Sequence, residues 1–192
     1  MEKDTAKEKK ALRAGIVTIT NGENYGNRLQ NYAVQEALKS LGFQAETIWK
    51  TTNVFDIENP LYLRKLKLKR FFHYHLTKEE SRRLNFHRFN KKYIRRSRWK
   101  IEENIPQGLG DAYDYFIAGS DQVWNPYLTY CTEANFLTFA EKEKRIAFCP
   151  SIAITDIPAE KRECFKKWIG DFALLSIREE EGKDIIKKLC GR

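Results

Sequence analysis

The chain has 192 residues, 42% of them hydrophobic, and a net charge of +9. That length accommodates one well-buried core, and two full domains would be a squeeze. No apolar run approaches the roughly 20 residues of a membrane helix, and the charged start from Met1 to Lys10 has no hydrophobic region behind it, so the sequence reads as cytoplasmic.

After a charged tail over residues 1–13, residues 14–20 predict a strand and 21–27 a loop of turn formers. A helix follows over 28–40, with Leu29, Ala33, Leu38 and Leu41 as its buried stripe and Gly42 as its stop. A strand over 44–49 completes a βαβ unit. Residues 51–112 read as a basic helical insertion, with helices near 61–74 and 78–93. Strands resume at 115–118, 145–149 and 173–177, with helices over 158–168 and 179–189. This order predicts an α/β fold over residues 14–192, a single Rossmann-like domain with an open, mostly parallel sheet and helices on both faces.

Much of the positive charge sits between Arg64 and Lys100, where arginines and lysines interleave with Phe71, Phe72, Phe86, Phe89, Tyr93 and Trp99. Such a block can bind nucleic acid, since phosphates attract the cations and bases stack on the rings. Leu84, Phe86, Phe89 and Tyr93 fall near helical spacing, however, which turns the rings toward a core and leaves the charges solvated. An anionic sugar carrier, a nucleotide or a membrane surface is therefore favoured over nucleic acid. Cys131, Cys149, Cys164 and Cys190 are scattered, so they read as reduced, packed thiols. His73, His75 and His87 lie in the basic region at no ligand spacing, and no metal site is expected.

The segment from Asp114 to Pro126 carries the most chemistry. A buried strand ends at Gly119, read as a sharp turn, and Ser120, Asp121, Gln122, Trp124 and Asn125 follow at once. A hydroxyl, a carboxylate, two amides and an indole together can grip a polyhydroxylated ligand. The alternative is a capped turn with Trp124 packed on the domain. In open α/β sheets ligands gather beyond the carboxyl ends of the strands, and three other segments would meet there. The first loop and the helix behind it bring Asn24, Tyr25, Asn27 and Gln30, either an anion site at a helix N-terminus or a plain Asn-Gly turn. Its glycines match neither a dinucleotide fingerprint nor a P-loop. Cys149-Pro-Ser-Ile152 brings Ser151 to a strand exit. Ser176-Ile-Arg-Glu179 brings Arg178, which would pair with a ligand carboxylate or phosphate or tie the strand end to a helix.

Asn24-Tyr-Gly-Asn-Arg-Leu-Gln-Asn-Tyr-Ala33, Ala118-Gly-Ser-Asp-Gln-Val-Trp-Asn-Pro126, Pro150-Ser-Ile152 and Leu175-Ser-Ile-Arg-Glu-Glu-Glu-Gly182 together resemble the polysaccharide pyruvyl transferase family, from about residue 15 to 189. The resemblance implies transfer of the pyruvyl group of phosphoenolpyruvate to sugar hydroxyls of a cell-surface polysaccharide precursor, giving a ketal. It implies no cofactor, phosphoenolpyruvate being the donor co-substrate, and a scaffold of two facing Rossmann-like domains similar to that of GT-B glycosyltransferases. This chain would be the N-terminal half, truncated or a fragment, with the C-terminal domain absent and doubtful activity by itself. Asp121 would serve as base or orient the incoming hydroxyl, with turn capping as its alternative role. Asn24, Tyr25, Asn27, Gln122, Trp124 and Asn125 would hold the acceptor, Trp124 by stacking on the sugar, with Gln30, Ser120 and Ser151 lining the same site. Arg178 would pair with an anionic group of the ligand. The implied partners are the sugar acceptor, a chain supplying the other half, and an anionic membrane or lipid-linked sugar at the inner face of the membrane. Two other readings stand beside it: a non-catalytic sugar-binding or scaffolding half-domain, and a GT-B-like glycosyltransferase using a nucleotide sugar.

Overall fold

The computed structural model describes residues 11–20, 22–51 and 59–192. Most of the charged tail, Asn21, and residues 52–58 of the expected insertion lie outside the described residues. Six strands form one all-parallel sheet: β1 (Arg13–Val17), β2 (Gln44–Lys50), β3 (Arg96–Ile101), β4 (Tyr115–Ala118), β5 (Arg145–Ala147) and β6 (Leu174–Leu175). Their spatial order is β3-β2-β1-β4-β5-β6. The chain thus winds outward from β1 on one side, then returns to wind outward from β4 on the other. That reversal places a crevice beyond the carboxyl ends of β1 and β4, where ligands of open α/β sheets bind.

The described helices are α1 (Tyr25–Ser40), α2 (Pro60–Phe71), α3 (Lys78–Tyr93), α4 (Arg162–Gly170) and α5 (Glu180–Cys190). Side chains alternate across the sheet and build two cores. Ile16 and Ile117 pack with Val34 and Leu38 of α1, whereas Val17, Phe116 and Ala118 face Phe165 and Ile169 of α4 and Ile185 and Ile186 of α5. The Rossmann-like α/β arrangement expected from the sequence is therefore present, with helices on both faces.

Two expectations need correction. Residues 96–101 are not part of a purely helical insertion but form β3, a sixth strand on the edge of the sheet beside β2. Its signal is a strict period of two: Arg96, Arg98 and Lys100 are exposed while Ser97, Trp99 and Ile101 turn inward. Basic composition hides that alternation. The buried stripe of α1 is also rotated from the one expected. Leu38 is buried, but Leu29 and Leu41 are 57% and 70% exposed, and Ala33 is exposed as well. The buried face consists of Arg28, Asn31, Val34, Gln35 and Leu38. Polar side chains win there because the sheet offers them partners. Gln35 Nε2 donates to Thr47 Oγ1 at 2.6 Å, and Thr47 Oγ1 donates to Asn31 Oδ1 at 2.7 Å. The Gln35 amide also pairs with both backbone groups of Arg95, at 2.9 and 3.0 Å. Arg28 Nη2 donates to the carbonyls of Thr20 and Gly22, at 2.7 and 2.9 Å.

Gly119 serves close packing rather than a sharp turn. A Cβ there would lie 3.0 Å from Thr18 Cβ and 3.2 Å from Ile16 Cγ2. Gly119→Ala is accordingly expected to lower unfolding free energy by about 1–3 kcal/mol in urea titrations, the usual result of overpacking.

Candidate functional site

The exits of β4, β5 and β6 are joined strand to strand by backbone hydrogen bonds. Ser151 N donates to Asp121 O at 2.7 Å, Trp124 N to Ser151 O at 3.2 Å, and Arg178 N to Pro150 O at 3.0 Å. Asp121, Ser151 and Arg178 therefore sit on one rim. α1 joins this rim from the other side of the crevice. With its amide oriented to satisfy both neighbours, Gln30 donates through Nε2 to Asp121 Oδ2 at 3.2 Å and accepts from Arg178 Nη1 at 2.6 Å. One amide thus connects a carboxylate to a guanidinium across the switch point of the sheet.

Backbone strain collects at the same place. Asp121 has φ 103°, Cys149 φ 50° and Ala153 φ 55°, all non-glycine residues in the left-handed half of backbone space. Such conformations cost on the order of 1 kcal/mol or more each and persist where surrounding contacts over-determine them. At Asp121 those contacts are the bond from Ser151 N and the one that Gln122 N donates to Oδ1 at 2.8 Å. At Ala153 the contact is Glu179, whose Oε1 accepts from Ser151 Oγ at 3.0 Å, Ile152 N at 2.7 Å and Ala153 N at 2.9 Å. Glu179 was not singled out in the sequence, although it adjoins Arg178. It ties the exit of β5 to the start of α5, while Arg178 turns outward to Gln30.

Other residues named from the sequence take separate places. Asn24 is the N-cap of α1, accepting from Asn27 N at 3.2 Å, and Asn27 is half-buried behind it. Tyr25 is 61% exposed but faces α3, its ring 4.7 Å from that of Phe86 and 5.4 Å from the Arg82 guanidinium. It shares the helix end with Gln30 without joining the Asp121 cluster. Arg83 Nε bonds Glu23 Oε1 at 2.7 Å and fastens the first loop to α3. Ser120 and Gln122 are half-exposed on the rim, and Ser120 O accepts from Thr18 Oγ1 at 3.1 Å.

Trp124 lies in the core and not on the open surface of the rim where a stacking residue was expected. It is fully buried, stacked on Phe136 at 5.2 Å with 9° between planes, and its Nε1 donates to Asn135 O at 3.1 Å. Asn125 is almost as deeply placed and closes a turn, its Oδ1 accepting from Tyr127 N at 3.0 Å. Ser151 is 2% exposed with its hydroxyl spent on Glu179. All three side chains are buried and hydrogen-bonded within the protein, where they hold the rim in shape.

Behind the rim, Lys50 at the end of β2 was also missed. It is buried, and its ammonium donates to Tyr130 O at 2.5 Å, Thr132 Oγ1 at 2.9 Å and Asn135 Oδ1 at 2.5 Å. Burial lowers its pKa from 10.5 to about 8, against the opposing pull of Cys131. The loop it holds carries Tyr130, whose hydroxyl is pushed above its usual range by burial first and then by the Asp121 carboxylate. Burial likewise raises the Cys131 thiol to about 11, so it stays neutral at physiological pH. Between about pH 8 and pH 10.5 the folded chain releases the Lys50 proton that the unfolded chain keeps. The contribution of Lys50 to unfolding free energy therefore rises with pH across that window, while the raised Cys131 thiol acts in the opposite sense above about pH 9. Relative to Lys50→Met, the wild type is expected to gain on the order of 3 kcal/mol there, read from urea titrations at both ends.

Among the described residues, no group of three His, Cys, Asp or Glu side chains gathers as a metal would require, and no helix is long and apolar enough to cross a membrane. A family model described as polysaccharide pyruvyl transferase matches residues 24–192. The chain belongs to the polysaccharide pyruvyl transferase family. No curated protein and no solved structure matches it. The family match spans every segment of the rim, from the N-cap of α1 through Asp121 and Ser151 to Arg178.

Proposed function

We propose that this pyruvyl transferase family member transfers the pyruvyl group of phosphoenolpyruvate to a sugar hydroxyl of a cell-surface polysaccharide precursor, using the rim around Asp121. The observation that carries this reading is the bridge from Asp121 through Gln30 to Arg178 at the switch point of the sheet. It sets a carboxylate that can take a hydroxyl proton beside a guanidinium that can hold an anion.

In forming the ketal, the methylene carbon of the enol phosphate gains a proton and becomes a methyl group. The central carbon gains bonds to two acceptor oxygens and loses phosphate. Charge develops on that carbon as the proton arrives, and each incoming hydroxyl must give up its own proton. Asp121 takes a hydroxyl proton in this scheme, with Gln30 fixing the orientation of the carboxylate. Tyr130 stays protonated behind it, held so by burial and by the Asp121 carboxylate. Arg178 pairs with the carboxylate or phosphate of the donor, and Gln122, Ser120 and Asn27 meet the acceptor.

Phosphoenolpyruvate carries both a phosphate and a carboxylate, which together call for more than one guanidinium. We assign the additional positive charge to a further domain or partner chain facing this rim, as in a GT-B-like arrangement.

The test is ketal formation from phosphoenolpyruvate with a panel of acceptor glycans, on the purified chain and on the chain supplemented with polypeptides that bind it. Inorganic phosphate should appear in step with a new ketal methyl signal. Thermal stabilisation by nucleotide sugars, with none from phosphoenolpyruvate and no ketal in any combination, would replace this reading with a glycosyltransferase.

A further inference from the structure

The α2 helix is apolar on two sides. Leu63 and Leu66 face inward and pack with Leu84 of α3. Leu61, Leu68 and Phe72, spaced as i, i+7 and i+11, form a row on the other side and are 78%, 49% and 63% exposed. Phe71 and Tyr74 extend that row and are also exposed. A groove of about 370 Å³ runs along it, flanked by Arg64, Lys65 and Lys69. Lys69 is paired with Glu80 at 2.6 Å, whereas Arg64 and Arg70 make no ion pair among the described residues. A contiguous exposed apolar patch with a cationic border is a docking feature rather than ordinary surface scatter.

We propose that this face of α2 docks on an anionic phospholipid surface. Leucine and phenylalanine side chains enter the boundary between headgroups and acyl chains, while the flanking cations meet lipid phosphates. Aliphatic Leu61 and Leu68 in the row favour lipid over nucleic acid, because bases stack on rings and gain little from leucine. α3 packs beneath this face and holds Glu23 of the first loop through Arg83, so the docked surface is linked to one side of the site. The proposal stands independently of the transfer reaction.

Flotation of the full chain with vesicles tests it, comparing phosphatidylcholine alone with phosphatidylcholine containing phosphatidylglycerol, at low and high salt. The chain should float with the anionic vesicles at low salt. Leu68→Ser/Phe72→Ser and Arg64→Glu/Lys65→Glu should each weaken that binding by at least about tenfold while leaving the circular dichroism spectrum unchanged. Arg88→Glu/Arg98→Glu, on other parts of the basic surface, should bind nearly as the wild type does. Equal loss from that second pair would mean undirected charge attraction and overturn the proposal. So would absence of vesicle binding, including the case where the same α2 residues instead mediate binding to homopolymeric RNA or dimerisation in sedimentation experiments.

Discussion

Asp121→Asn is expected to lower the rate of ketal formation by about a thousandfold, within the range of roughly 10² to 10⁴ that a positioned proton acceptor contributes. The substitution isolates chemistry from folding. Asparagine tolerates positive φ much as aspartate does, so the backbone at φ 103° is retained. Its Oδ1 still accepts from Gln122 N. What changes is the second oxygen. An amide nitrogen in place of Oδ2 faces the Nε2 donor of Gln30, and turning the Gln30 amide to relieve that conflict points its donors at Arg178. The variant therefore loses both the base and the bridge. A denaturation midpoint close to that of the wild type, together with the loss of rate, is the expected pair of results. Turnover retained within a factor of about ten, well short of the loss of a positioned base, would remove Asp121 from proton transfer and leave it as the cap of its turn.

Trp124→Ala should destabilise the chain by about 3–5 kcal/mol, the usual consequence of emptying a buried tryptophan site. Trp124 stacks on Phe136, lies 5.3 Å from Phe172, and gives its indole N–H to Asn135 O. Removal leaves a cavity under α4 and an unsatisfied carbonyl in the loop that Lys50 holds. Against the 5–15 kcal/mol of a typical domain, that is enough to populate unfolded chains at moderate temperature. Urea denaturation would register the loss directly. A tryptophan that stacked on a sugar would behave oppositely, costing little stability while weakening acceptor binding, and that outcome would contradict its place in the core.

The strand exits were readable in the sequence because buried parallel strands leave a strong mark. Tyr115 to Ala118 is a short apolar run that stops at a glycine, and the observed β4 has the expected bounds. Gly42 takes positive φ just after α1, where the sequence placed the helix stop, and Gly191 does the same after α5. Edge strand β3 was hidden because an exposed face carrying arginine and lysine looks like a solvated helix until its period is counted. The face of α1 was misread for a related reason: hydrophobicity predicts burial only where the opposing surface is apolar, and here β2 presents Thr47 while the backbone of Arg95 lies within reach.

The amino-acid order alone determined that this chain makes a parallel α/β sheet, that polar residues follow its strands, and which family those residues mark. Local patterning carries that information, since a strand, a turn or a cap depends on neighbours a few positions away. Only tertiary packing decided which of those polar residues face one another. Gln30 meets Asp121 and Arg178 across separations of 91 and 148 residues, while Trp124, three positions from Asp121, turns into the core and stacks on Phe136. The choice between rim and core at such positions belongs to the shapes that other segments present to them, and no short window of sequence contains those shapes.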